Sequence, residues 1–215
     1  MRRLNSLWAL FLCLAAWHVI ADAPNEATAA QALNRRLADI RSLQADFTQT
    51  TIDASNRTLQ ANSGHLWVAK PSKFRIETTK PYVQTLVSNG VDFWTWDADL
   101  EQVIVKKLDA DVKQVPILLL GGDTARITSE YKVSYYKDGD SEHYTLQAQS
   151  TSSLFETLGI EFVKGQPSAI SITDSLGQQT RILLNNVSIN QPINDGRFAF
   201  TPPKGADVID DRNAQ

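Results

Sequence analysis

The sequence predicts a mainly β protein with some α: an incomplete, half-open antiparallel β-barrel of about eleven strands, closed by a helical lid. Three observations carry that expectation. From Leu43 onward apolar and polar residues alternate in short bursts bounded by turn-forming residues, the pattern of strands with one buried and one wet face. Only one segment before them, from Ala30 to Ile40, has the period of an amphipathic helix. One apolar block, "KQVPILLLGGD" from Lys113 to Asp123, breaks the alternation and is too short to cross a membrane.

The chain opens with Arg2 and Arg3, a largely apolar stretch over residues 4–20, and Val19-Ile20-Ala21 as a cleavage site. That arrangement reads as a secretory signal peptide over residues 1–21, followed by a single domain over 22–215. Asn5 and His18 keep the apolar stretch short of the ~20 residues that a spanning helix needs. Cys13 follows Leu12, which is not the small residue that bacterial lipidation wants, so no lipid anchor is expected.

The mature chain begins with a helix. Ala30, Leu33, Leu37 and Ile40 step by three, four and three, which makes one apolar stripe, while Arg35, Arg36 and Asp39 fall outside it. Six strand-like segments follow: "LQADFTQTTI", "LQANSGHLWVAK", "KFRIET", "YVQTLVS", "VDFWTWD" and "EQVIVKK". Asn89-Gly90 separates two of them as a hairpin turn, because both residues tolerate positive φ. After the apolar block come "YKVSYY", "EHYTLQA", "GIEFV", "SAISITD" and "QTRILLNNVSI", and the tail "RFAFTPPKGADVID" adds one more short strand before Pro202 and Pro203. No helix here suits a parallel crossover, so sequential antiparallel pairing is expected. A sheet this wide coils toward a barrel that needs either a plug or a cavity.

Two plugs are available. One is the N-terminal helix. The other is the central block, in which Pro116 suits the first turn of a short helix and Gly121-Gly122 its end. Its consecutive aliphatics, Ile117 to Leu120, cannot all face one way, so some point into the sheet and others meet a second apolar surface. Two readings stay open: a small core helix that caps the barrel, or a movable lid over an apolar cavity.

Composition narrows the function. Loss of the leader removes two of 21 basic residues and none of 24 acidic ones, so the mature chain is more acidic than the −3 of the precursor. Nucleic acid is therefore not an expected partner. The single cysteine leaves with the leader, which precludes a disulfide or a thiolate metal site in the mature chain. His65 and His143 stand alone in strand-like stretches, and no H-E-x-x-H, G-x-S-x-G or phosphate-loop motif occurs. The acids Asp92, Asp97, Asp99 and Glu101 read as the solvated face of a hairpin. Neither enzymatic activity nor a metal or other cofactor is expected. Instead, Trp67, Phe74, Phe93, Trp94 and Trp96 crowd into neighbouring strands. A hairpin with large apolar groups on both faces has one face inside and needs a cover for the other.

Five segments, in order, carry a resemblance: "FTQ" (47–49), "GHLWVAKPSKF" (64–74), "LVSNGVDFWTWD" (86–97), "VPILLL" (115–120) and "FAFTPPKGADVIDD" (198–211). Behind a signal peptide and over nearly its whole length, the mature chain resembles the periplasmic outer-membrane lipoprotein carrier family of Gram-negative bacteria, LolA. The resemblance implies a monomeric periplasmic chaperone whose apolar interior holds the acyl chains of lipoproteins. It would receive them from an inner-membrane ABC transporter and pass them to an outer-membrane receptor. Carried over, the acyl pocket includes Leu33, Leu37 and Ile40 on the first helix, and Leu43, Phe74, Ile76, Leu86 and Trp94 on the sheet. Ile117, Leu118 and Leu120 would belong to the lid. Many relatives have arginine where this chain has Lys70, and the resemblance makes that position a lid latch that bonds to helix carbonyls. Lysine lacks the planar fork of arginine, so a less rigid latch is expected. The alternative is a module of the same fold that binds another lipid or glycolipid, or acts as a periplasmic sensor.

Overall fold

The computed structural model describes residues 26–108, 130–150 and 155–213. Residues 1–21, expected as a leader, and the apolar block, with Ile117, Leu118 and Leu120, lie outside the described residues. Among the described residues, helix α1 (Glu26–Ala38) precedes twelve strands. These are β1 (Ser42–Ile52), β2 (Thr58–Ala69), β3 (Lys73–Lys80), β4 (Gln84–Asn89), β5 (Asp92–Asp97) and β6 (Gln102–Lys107), then β7 (Tyr131–Asp138), β8 (Ser141–Ala148), β9 (Phe155–Val163), β10 (Gln166–Asp174), β11 (Gln179–Ile189) and β12 (Asp207–Asp210).

The strands form one open sheet in the order β12-β6-β5-β4-β3-β2-β1-β11-β10-β9-β8-β7. Two antiparallel meanders, β1–β6 and β7–β11, are stitched together where β1 pairs with β11. Among the described residues β12 and β7 are the outermost strands and do not pair with each other, which leaves the barrel unclosed. The mainly β, half-open expectation holds, with twelve strands in place of about eleven. Two details differ from it. The tail strand lies after Pro202 and Pro203, as β12, and runs parallel to β6. Before the prolines the chain makes a 3-10 turn, Asp195–Phe198, whose start is held by the Asn194 side chain accepting from the Gly196 amide. Proline has no N–H to give a ladder, so the strand forms only where the chain regains donors.

Strand alternation separates an inner face from an outer one. The inner face carries Leu43, Ala45 and Phe47 of β1, Leu66 and Val68 of β2, and Phe74 of β3, and from the second meander Val133, Tyr144, Leu146, Leu158, Ile160, Phe162 and Ile170. Helix α1 packs onto this face with Ala29, Ala30, Leu33 and Leu37 buried, and the whole forms one apolar cluster. Burial of each of the leucine, isoleucine, valine and phenylalanine side chains stabilises the fold by about 1.5–3 kcal/mol.

The outer face of β4–β6 has its own small core. Val87, Val103 and Val105 are buried there, and the register sets Val87 beside Trp94 and Trp94 beside Val105. The cover is the C-terminal segment around the 3-10 turn. Phe198 is buried, Phe200 lies 6.3 Å from the Trp94 ring, and the Arg197 guanidinium sits 4.4 Å above Trp67. Arg75 donates to the carbonyls of Arg197 and Ala199 at 3.4 and 3.5 Å.

Candidate functional site

The site is built on the inner face. Its anchor is α1, which is held at two points. At the C-terminal end the Lys70 ammonium donates to the Leu37 carbonyl at 2.7 Å. The Asn190 side chain donates to the Asp39 carbonyl at 2.8 Å and accepts from the Arg41 amide at 2.7 Å. These bonds satisfy last-turn groups that a helix cannot satisfy itself. Burial pushes the Lys70 ammonium below its ordinary pKa, and the nearby Asp39 carboxylate partly opposes that shift.

Further along the helix, the Arg36 guanidinium forms a two-pronged ion pair with Glu142 of β8, its Nε–Oε2 arm 3.0 Å long. Glu142 is buried and also accepts from the Tyr144 hydroxyl at 3.2 Å. The Arg36 hydrogen bond holds the Glu142 carboxyl below the usual carboxylate range, against the opposing effect of burial. Burial, reinforced by the neighbouring Glu142 charge, pushes the Tyr144 phenol up to about 12. Helix α1 thus touches both halves of the sheet, through Lys70 of the first meander and Glu142 of the second.

Beside this plug the inner face leaves a cavity of about 220 Å³. Its floor is apolar: Phe47, Leu66, Ile76, Leu86 and Ile182. Its remaining wall is uncharged and polar: Gln49, Gln60, Asn62, Thr78 and Gln84. Close strand approach shapes the floor. A Cβ on Gly64 would sit 1.8 Å from the Glu77 carbonyl oxygen, so only glycine fits at the bulge where β2 meets β3.

Among the described residues the predicted site residues divide four ways. Leu33, Leu37, Ile40, Leu43 and Phe74 come together in the buried cluster, and Ile76 and Leu86 pack at its edge and line the cavity. Trp94 does not join them. It follows Phe93 on β5, and alternation sends the two to opposite faces. Phe93 points inward, 5.7 Å from the Phe74 ring, whereas Trp94 points outward to Phe200. The inner position expected for Trp94 therefore belongs to Phe93. Lys70 does bond to a helix carbonyl, that of Leu37 in α1.

Several cavity residues escaped the sequence reading. Phe47, Leu66 and Ile182 are core-like residues in ordinary strands, and the amides look like solvated positions. Counting by twos from Leu43 through Ala45, Phe47 and Gln49 would have found the β1 pair. The histidines stand elsewhere. His65 meets Asp46 at 2.5 Å on the outer face, and His143 stacks on Tyr136 at 4.3 Å.

Comparison with known proteins agrees with this architecture. The family described as "Outer membrane lipoprotein carrier protein LolA" matches residues 38–201. An outer-membrane lipoprotein carrier protein of Pseudomonas entomophila is 37% identical over 97% of this chain and 99% of its own length. One from Pseudomonas putida is 38% identical over 83% of this chain and 86% of its own. A solved structure of an uncharacterized conserved protein from Thermus thermophilus has a TM-score of 0.55 at 13% identity, covering 84% of this chain and 98% of that one, a likeness of fold alone. By sequence, over most of its length, the chain belongs to the outer membrane lipoprotein carrier family, LolA.

Proposed function

We propose that this protein is a periplasmic carrier that holds the acyl chains of lipoproteins in the inner-face cavity. It takes them from an inner-membrane ABC transporter and delivers them to a receptor at the outer membrane. Residues 1–21 direct export and are removed. The carrying surface comprises Leu33, Leu37, Ile40, Leu43, Phe74, Ile76 and Leu86, joined by Phe93, with Ile117, Leu118 and Leu120 as its lid and Lys70 as its latch. The observation that supports this most is a cavity with an apolar, uncharged floor next to a helix that plugs the same face with its own leucines.

The energetics suit a carrier. Each methylene moved from water to an apolar site is worth about 0.8 kcal/mol, so one long chain could contribute ~10 kcal/mol. The cavity of about 220 Å³ is smaller than the ~300–1,000 Å³ typical of a preformed ligand pocket. A long chain must therefore displace part of the plug. Lipid then competes with Leu33 and Leu37 for the same surface, which lowers net affinity and permits handover. No bond is made or broken, so the reading asks for no catalytic group.

The test is to purify the protein from periplasm and look for bound triacylated lipoprotein by mass spectrometry. Wild type should carry it, and Ile76→Glu, which puts a charge on the cavity floor, should not. A folded wild-type protein that brings down no acylated species would overturn the proposal.

A further inference from the structure

The cavity has a sharp polarity boundary. Across four neighbouring strands, inner-face positions are apolar toward α1, apart from the buried Ser88 of β4, whose hydroxyl donates to the Ser72 carbonyl, and polar beyond one common level. On β1 the series Leu43, Ala45, Phe47 gives way to Gln49, and on β2 Val68 and Leu66 lead through Gly64 to Asn62 and Gln60. On β3 Phe74 and Ile76 are followed by Thr78, and on β4 Leu86 is preceded by Gln84. The register brings these ends together, with Gln49 opposite Asn62 and Thr78 opposite Gln84.

A merely solvated rim carries charge as readily as amide, yet every polar residue lining this cavity is uncharged. Four carboxamides and a hydroxyl converge, and among the described residues none of these five side chains has a hydrogen-bond partner. Each carboxamide offers two N–H donors and a carbonyl acceptor. Such a set suits a ligand whose apolar tail ends in neutral carbonyls. It suits a free carboxylate or a bare hydrocarbon poorly.

We propose that Gln49, Gln60, Asn62, Thr78 and Gln84 form a subsite for the ester and amide carbonyls that link acyl chains to their head group. The chain would then enter with its tail toward α1 and its linkage at the β1–β2 hairpin end. This rests on the carrier reading and adds to it a polar subsite and a direction of entry. Ester-linked chains occur both in lipoproteins and in free phospholipids. The shared chemistry is the acyl carbonyl, and the source is decided by experiment.

The experiment uses purified full-length mature protein and three probes. The first is a synthetic tripalmitoylated cysteinyl peptide, the second its ether-linked analogue without acyl carbonyls, and the third dipalmitoyl phosphatidylglycerol. Wild type should bind the ester peptide between about 5- and 30-fold more tightly than the ether analogue, the effect of one or two net hydrogen bonds. The near-isosteric pair Gln60→Glu and Asn62→Asp removes N–H donors and adds charge, and should bring that ratio close to one. A second variant, Gln49→Leu with Gln84→Leu, should do the same while retaining affinity for the ether analogue. If the phospholipid shows the same dependence on these residues with equal affinity, the subsite stands and its source is free lipid. If wild type binds ester and ether probes equally, or the variants keep the ratio, the subsite is wrong and the carrier reading survives. If wild type binds neither peptide, both fail.

Discussion

Replacing Lys70 by methionine isolates the latch. The side chain keeps nearly its length and apolar stem, but the ammonium that donates to the Leu37 carbonyl at 2.7 Å is gone. A hydrogen bond from a charged donor contributes about 1.5–3 kcal/mol, and a cation at a helix C-terminus adds about 0.3–1 kcal/mol. Against this stands the cost of burying the charge, visible in the lowered pKa of Lys70. A net loss of about 1–2 kcal/mol follows. For a chain of this size each kcal/mol moves Tm by about 2–4 °C, so Lys70→Met should melt about 2–8 °C lower. Circular dichroism reads the melting, and hydrogen exchange reads the site. Amides in the last turn of α1 should exchange faster in Lys70→Met and more slowly in Lys70→Arg, whose fork can bond more than one carbonyl. Loosening the plug should also tighten binding of a triacylated peptide, because lipid then competes with a weaker rival. An unchanged Tm with unchanged α1 exchange in Lys70→Met would refute the latch.

Three other perturbations test the frame around the site. Glu142 has its folded pKa depressed by Arg36, so its stabilising contribution is present above the unfolded value of about 4.3 and is lost as pH falls through the folded one. The stability advantage of wild type over Glu142→Gln, measured by urea unfolding, should be full at pH 7 and shrink below about pH 4. Gly64→Ala would press a methyl into the Glu77 carbonyl, and backbone cannot swing aside as a flexible side chain would. It should cost at least about 2 kcal/mol by chemical denaturation. Asn34 of α1 holds a buried side-chain oxygen that has no hydrogen-bond partner among the described residues. Asn34→Leu keeps the shape and removes that penalty, so it should raise stability by about 1–2 kcal/mol and increase Tm in a thermal melt.

What the sequence made legible was local. The three-four-three spacing of Ala30, Leu33, Leu37 and Ile40 marks one buried stripe without reference to anything else, although α1 ends at Ala38 and Ile40 lies just beyond it, and the period of two marks the strands. Pairing across long separations was not legible. Alternation says that Phe93 and Trp94 point opposite ways but not which is inside, because the cover for the outer face lies some hundred residues later at Phe198 and Phe200. Strand β12 has no apolar rhythm of its own, and all four residues are exposed. Its place comes from backbone bonds such as the Asp207 amide to the Glu101 carbonyl at 2.9 Å and the Asp211 amide to the Val105 carbonyl at 2.8 Å. The Arg36–Glu142 pair spans a separation of 106 residues, so each looked like an ordinary charge on its own element. The cavity amides were hidden for a similar reason. A glutamine in an alternating strand is indistinguishable from a wet position until the register shows what stands opposite.

A carrier of this kind must hold fatty tails on the inner face of its sheet. A triacylated peptide with a diazirine on one acyl chain, bound to the purified protein, irradiated and digested, reports that position directly by mass spectrometry. Adducts should concentrate on Phe47, Leu66, Ile76 and Leu86. Adducts confined to the outer face, around Trp67 and Trp94, would contradict the account at its root.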